Sequence, residues 1–83
     1  MSADVIPYPL ARRQAIVTRC AARMLELRPV AAERHLEALL KAQTGALERR
    51  QISPNLIQRE INALHAAIRS EVWKQTFAPG GAA

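Results

Sequence analysis

Three prolines divide the chain into long helix-forming runs, and their spacing constrains the fold more than any other feature of the sequence. Pro9, Pro29 and Pro54 each stand at the head of a run rich in Ala, Leu, Arg, Glu and Gln. Proline is favoured at the first position of a helix, because its missing N–H has no partner to lose there and its φ angle is already helical. We therefore predict three helices, at 9–27, 30–51 and 54–77.

Short connections between these runs predict how the helices are arranged. Ser53 is a suitable N-cap ahead of Pro54, and Ile52 and Ile57 occupy the two positions of a hydrophobic staple. So few residues then separate the second helix from the third that the two must be adjacent and antiparallel. The connection through Arg28 is equally short, although arginine is a poor cap.

Each run carries an apolar stripe at helical spacing, and no segment alternates with the period of two that a strand requires. The chain is therefore predicted to be all-α. Its stripes consist of Leu10, Ile16, Val17, Cys20, Met24 and Leu27 in the first helix, Ala32, Leu36, Leu39, Leu40 and Leu47 in the second, and Ile57, Ile61, Leu64, Ile68 and Val72 in the third. Two architectures accommodate these stripes: a closed three-helix antiparallel bundle, or a helical hairpin that completes its core as a homodimer.

The 83 residues are enough for one domain only, which we place at 9–77. Residues 1–8 are expected to form an extended N-terminal arm, because Pro7 and Pro9 bracket Tyr8. Tyr8 then either covers the bundle or reaches onto a partner. The tail at 78–83 has nothing to bury and is expected to be disordered.

Composition and cysteine usage exclude several protein classes. The chain is 49% hydrophobic and 23% charged, which is typical of a folded domain rather than a disordered one. No apolar run approaches the ~20 residues of a membrane helix, and no signal peptide is recognisable. Cys20 is the single cysteine, so the chain has no internal disulfide and a cytoplasmic location is expected.

The bulky aromatic residues of the third helix lie on the side opposite its apolar stripe. Trp73 is about 140° and Phe77 about 180° from the centre of the stripe. Aromatic residues and arginine are enriched at protein interfaces, so this far face predicts a protein-binding surface. Its predicted members are Ala66, Arg69, Ser70, Trp73, Phe77 and, from the arm, Tyr8. The alternative is that the helix stops near Val72 and the two rings fold back over the end of the bundle.

Positive charge predicts a second kind of surface. The chain has 12 Lys and Arg against 7 Asp and Glu, a net charge of +5 that attracts nucleic acid or an acidic protein. Arg12, Arg19 and Arg23 fall within about 40° of each other on the first helix, with Arg13 close by, and such a stripe suits contact with successive phosphates. The alternatives are a solvated face on which Arg23 pairs with Glu26, or the alanine-rich and arginine-rich composition of a GC-rich genome.

Motifs that carry chemistry are lacking. No H-E-x-x-H, C-x-x-C or glycine-rich phosphate loop occurs, so no catalytic residue, metal site or cofactor is predicted. Cys20 lies on the apolar stripe, which indicates a buried, inert thiol. His35 and His65 each flank a core leucine and are expected at the boundary of the core. The three side chains would meet as metal ligands only by an accident of packing.

Three segments carry a resemblance to a known family. They are 6–13 (IPYPLARR), 32–36 (AERHL) and 67–73 (AIRSEVW). On these segments the chain resembles, over almost its whole length, an uncharacterised family of small bacterial all-helical proteins classed as a domain of unknown function. The resemblance implies no activity and no cofactor, and it is consistent with a small accessory protein of the kind carried on mobile DNA. A Ser- or Thr-like cap is expected before Pro29, where this chain has Arg28.

These features together predict a non-enzymatic interaction protein. It is expected to self-associate as a homodimer and to bind or inhibit a protein partner through its helix surfaces. The alternative is a basic, nucleic-acid-associated regulator that uses the arginine stripe of the first helix. No contact with a membrane is expected.

Overall fold

The computed structural model describes residues 10–77, with side chains from residue 12 onward. It contains three α-helices: α1 (Leu10–Leu25), α2 (Pro29–Arg49) and α3 (Pro54–Phe77). The predicted arm with Tyr8, the side chain of Leu10 and the predicted tail at 78–83 lie outside the described residues. Each helix contacts both of the others. The fold is therefore all-α, with three helices packed together as a bundle rather than as an extended hairpin.

Contacts between the helices give their relative directions. Arg69, late in α3, pairs with Glu33 near the start of α2. At the other end, Ile57 near the start of α3 shares a buried cluster with Leu47 near the end of α2. α2 and α3 are therefore antiparallel. The turn at 26–28 reverses the chain in the same way between α1 and α2, so α1 and α3 run in the same direction.

The beginning of α3 has the predicted local structure. The backbone N–H of Leu56 donates a hydrogen bond to Ser53 Oγ at 3.3 Å, which confirms the side-chain cap. Ile52 packs against the cluster that contains the buried Ile57, as a hydrophobic staple requires. Together these contacts determine the angle at which the chain enters α3.

α2 ends at Arg49, before the predicted boundary, because the chain adopts a Schellman-type C-cap. Gln51 has a φ angle of 62°, in the left-handed region. Its N–H donates to the carbonyl of Glu48 at 2.9 Å, and the N–H of Ile52 donates to the carbonyl of Leu47 at 3.1 Å. These two bonds satisfy carbonyl groups at the helix end. Glycine is the usual residue at the left-handed position, so glutamine gave no sequence signal for this cap.

The connection between α1 and α2 has three residues, 26–28, one more than predicted, because α1 ends two residues earlier than expected and α2 begins one residue earlier. α1 ends at Leu25, and the N–H of Leu27 then donates to the carbonyl of Met24 at 3.1 Å, a bond of the 3₁₀ type. α2 begins at Pro29. The side chain of Arg28 makes no capping hydrogen bond, in keeping with its poor capping chemistry.

The interior of the bundle consists of two apolar clusters. The larger one, the main core, joins all three helices and contains Val17, Cys20, Met24, Ala32, Leu36, Leu64 and Ile68. The smaller one contains Leu47 and Ile57, beside the turn between α2 and α3. Ala21 is also fully buried, although it was not among the predicted stripe residues. Within residues 10–77, none of the helices has the length and apolar character needed to cross a bilayer.

Gly45, in the interior of α2, is expected to weaken the fold without serving a packing purpose. A Cβ atom placed there meets only Nη1 of Arg49, at 3.4 Å, which is the end of a flexible side chain. Gly45→Ala should therefore raise the free energy of unfolding by about 0.5–1 kcal/mol, because alanine has the higher helix propensity. Thermal denaturation followed by circular dichroism should show a Tm higher by about 4 °C. Ala38→Gly, an exposed position of the same helix, is the control and should lower Tm; an unchanged or lower Tm for Gly45→Ala would contradict the prediction.

Candidate functional site

The two aromatic residues near the end of α3 face solvent rather than the core. Trp73 exposes 64% of its surface and Phe77 exposes 68%. Their rings stack on each other, with centroids 4.5 Å apart and an angle of 24° between the ring planes. Residues four positions apart are neighbours on a helix surface, so the two rings form one continuous apolar surface.

α3 remains helical as far as Phe77 because its last turns are held against the rest of the bundle. Val72 packs against the main core. Nε2 of Gln75 donates to the carbonyl of Thr18 in α1 at 3.5 Å. The alternative in which the helix stops near Val72 and the rings fold back over the bundle is therefore wrong.

The rings belong to a longer strip that is uncharged between residues 62 and 77, and we call this strip the outer face of α3. Its members lie on the side of the helix opposite Leu64 and Ile68: Asn62, Ala63, Ala66, Ser70, Trp73 and Phe77. Ala66 and Ser70 are exposed, as Trp73 and Phe77 are. The outer face therefore has two large rings at its C-terminal end and small side chains before them.

Arg69 lies beside the outer face and is held by Glu33 of α2. Nη1 and Nη2 of Arg69 donate to the two carboxylate oxygens of Glu33 at 2.7 and 2.6 Å, and Nε donates to Nε2 of His65 at 3.2 Å. A bidentate contact of this kind is a strong form of Arg–carboxylate pairing. The hydrogen bonds from Arg69 hold the pKa of the Glu33 carboxyl below its ordinary value, and those same bonds raise the pKa of Arg69.

The other flank of the outer face also carries a paired cation. Nζ of Lys74 lies 3.6 Å from Oε1 of Glu71. With Ser70, these two residues border a groove of about 590 Å³ between α1 and α3. Both cations that flank the rings thus have a carboxylate partner, which leaves this surface nearly neutral in a chain whose net charge is +5.

The sequence analysis did not include either carboxylate in the site. Glu71 precedes Lys74 by three positions. Residues at this spacing are neighbours on a helix surface, so the sequence alone predicts their ion pair. Glu33 is 36 positions from Arg69. Their pairing depends on how α2 packs against α3, so no local spacing indicates it.

The predicted arginine stripe of α1 is divided by ion pairs. Nη1 of Arg13 lies 3.2 Å from Oε2 of Glu60 in α3, in a partly buried contact. Nη1 of Arg23 donates to Oε1 of Glu26 at 2.9 Å, which is the local pair considered as an alternative. Among the described residues, two exposed members of the stripe have no carboxylate partner: Arg12 and Arg19.

The cysteine and the histidines lie in different surroundings. Cys20 is buried in the main core, and burial raises the pKa of its thiol. His35 borders an open pocket of about 320 Å³ beside Cys20, between α1 and α2, whereas His65 is hydrogen-bonded to Arg69. In the part of the chain that the structure describes, no three His, Cys, Asp or Glu side chains are grouped to hold a metal ion.

Replacing Glu33 by glutamine measures what its pair with Arg69 contributes to the fold. At pH 7, Glu33→Gln should lower the free energy of unfolding by less than about 1 kcal/mol, because both side chains are about half exposed. The pKa of Glu33 is lowered in the folded protein, so the stabilisation is present above the ordinary glutamate pKa of about 4.3. It should be lost as pH falls through the lower pKa of the folded state. Urea denaturation at neutral and acidic pH measures both effects.

Glu26→Gln is the matched control, because it makes the same change in a more exposed pair that is local in sequence. Its effect at pH 7 should be smaller than that of Glu33→Gln. A Glu33→Gln variant as stable as the wild type at pH 7 would contradict a stabilising role for the pair. A stability difference that persists unchanged at acidic pH would contradict its electrostatic origin.

Comparison with known proteins identifies a family but no function. A model of the family of unknown function DUF6074 matches residues 1–83. No curated protein and no solved structure matches the chain significantly. The resemblance noted in the sequence is thereby confirmed, and the chain belongs to DUF6074, a family of unknown function whose model covers its whole length.

Proposed function

We propose that this protein is a non-enzymatic interaction protein that self-associates and binds a protein partner through the outer face of α3. The observation that carries the proposal is the pair of stacked, solvent-exposed rings of Trp73 and Phe77 on a helix that extends to Phe77 and contacts α1 in its last turns. Large aromatic side chains in well-ordered positions are the residues that contribute most to protein binding.

The free energy available from covering these rings is substantial for so small a chain. Aromatic side chains have about 150–250 Å² to bury, and about two thirds of each ring is exposed here. Trp73 and Phe77 together therefore leave about 250 Å² of apolar surface in water. At about 25 cal/mol per Å², a partner that covered both rings would gain at most about 6 kcal/mol.

Electrostatics favours a protein partner over nucleic acid at this surface. Between residues 62 and 77 the outer face contains no ionisable side chain, and the neighbouring Arg69 and Lys74 are paired with carboxylates. The exposed Arg59 lies on the same side of the helix, about one turn before Ala63, and adds a positive charge beyond that end of the face. A nucleic-acid surface instead needs a row of cations that contact successive phosphates. On α1, ion pairs with Glu60 and Glu26 occupy two of the four arginines that the alternative required. The nucleic-acid role is therefore the weaker of the two hypotheses.

Removing both rings tests the proposal. Trp73→Ala combined with Phe77→Ala should keep the helical circular dichroism, because neither ring is part of the described core. It should weaken self-association at least about tenfold, because losing only about 1.4 kcal/mol of binding free energy raises the dissociation constant tenfold. Analytical ultracentrifugation across a concentration series measures the association.

Val30→Ala is the matched control, because Val30 is as exposed as the rings but lies on α2. It should leave association unchanged. Loss of helical structure in the double variant would identify the rings as core residues and contradict the proposal, as would a wild-type chain that is monomeric at every concentration. Binding of a short DNA duplex that weakens steeply between about 50 and 200 mM salt would favour the nucleic-acid role instead.

A further inference from the structure

We propose that the outer face of α3 binds the same face of a second copy, with the two helices antiparallel and the two-fold axis passing between their Ser70 residues. The inference rests on the proposed function and deepens it by specifying the occupant of the surface and its register. The area, the shape and the charge of the outer face each support this arrangement.

The order of large and small side chains along the outer face makes it complementary to itself. Phe77 and Ala63 are each seven positions from Ser70, on opposite sides of it, which is about 10.5 Å along the helix. An antiparallel pair centred on Ser70 therefore places Phe77 opposite the partner's Ala63, and it places Trp73 within about 1.5 Å, along the helix, of the partner's Ala66. Both contacts occur twice, as a two-fold interface requires.

A parallel pair of the same two faces fits less well. It would place each ring against the same ring of the other copy, and Ala63 and Ala66 against the same alanines. The rings would then hold the helices apart where the alanines leave space unfilled. Unfilled space loses the packing contacts on which close association depends. The antiparallel arrangement places every ring against a small side chain and leaves no such gap.

The area of the outer face also favours a second copy. A two-fold interface covers the rings of both copies, so about 500 Å² of exposed ring surface is buried instead of about 250 Å². Specific interfaces bury about 1,200 Å² or more in total, and weak reversible ones bury less. The rings alone thus supply close to half of that area, and the exposed small side chains of the outer face add to it. An interface at the small end of the range is typical of a weak, reversible dimer.

The charge distribution allows two copies of a cationic chain to approach. Two chains of net charge +5 repel each other unless the surfaces that meet are neutral. In the antiparallel register, Arg69 of each copy lies on the same flank, next to the axis. Each arginine carries its own Glu33 in a bidentate pair, which neutralises the charge at this point. The fold thereby removes the repulsion that two adjacent guanidinium groups would otherwise cause.

Cysteine cross-linking in the full-length chain tests the register. Ser70→Cys should form a disulfide-linked dimer on mild oxidation, because residues next to the axis come within the short Cα separation that a disulfide needs. Asn62→Cys is the matched control on the same face. In the antiparallel register its two copies are about 24 Å apart along the helices, so cross-linking should be at least about tenfold slower than for Ser70→Cys. The wild type controls for the buried Cys20.

The same experiment separates this inference from the proposed function. Equal cross-linking at positions 62 and 70 would indicate a parallel or non-specific pair and overturn the antiparallel register. A chain that associates through Trp73 and Phe77 but does not cross-link at position 70 would overturn the inference while the proposed function stands. A chain that neither cross-links nor self-associates would contradict both.

A size-swap variant provides a second measurement that does not depend on disulfide geometry. Ala66→Trp alone should weaken the dimer at least about tenfold, because two bulky rings then meet. Combining Ala66→Trp with Trp73→Ala exchanges the large and small positions and should restore most of the lost association. Circular dichroism checks that each variant is folded. Failure of the combined variant to associate better than Ala66→Trp would overturn the register.

Discussion

Burial of one side of α3 is the constraint on which the rest of the molecule depends. Leu64 and Ile68 are completely buried between α1 and α2. With 100° between successive residues, this contact determines the rotation of the whole helix about its axis. Trp73 and Phe77 are then forced into solvent, although they are the largest apolar side chains of the helix. Their exposure is a consequence of core packing and does not arise from a loose end of the chain.

Ion pairs at the edges of the bundle reinforce this packing. Arg13 and Glu60 join α1 to α3, and Arg69 and Glu33 join α3 to α2. Each pair spans two helices, so each restricts how one helix slides along another. The two pairs also neutralise two of the positive charges on this basic chain. As a result, the outer face of α3 has a defined place in the bundle and no uncompensated charge between residues 62 and 77, two properties that favour contact with protein.

The structural features that were predictable from the sequence are those that depend on residues close together along the chain. The apolar stripes, the cap at Ser53 and the staple between Ile52 and Ile57 depend only on helical spacing, and the structure contains them. The far-face position of Trp73 followed from the same geometry. The C-cap at Gln51 was missed because a residue other than glycine adopts the left-handed conformation. The contact of Arg69 with Glu33 was missed because it depends on the packing of two helices, which spacing within one helix does not reveal.

The attachment of the last turns of α3 to α1 links the fold to the proposed interaction. Association costs free energy whenever a flexible segment or side chain must be ordered. Here Val72 is already packed against the main core, Gln75 is bonded to the carbonyl of Thr18, and the two rings stack on each other. The helix that carries the rings is therefore already formed and packed before any partner arrives, and more of the free energy gained by covering the rings remains available for binding. A bundle of this size gains stability in return, because anything that binds only the folded state shifts the folding equilibrium towards it.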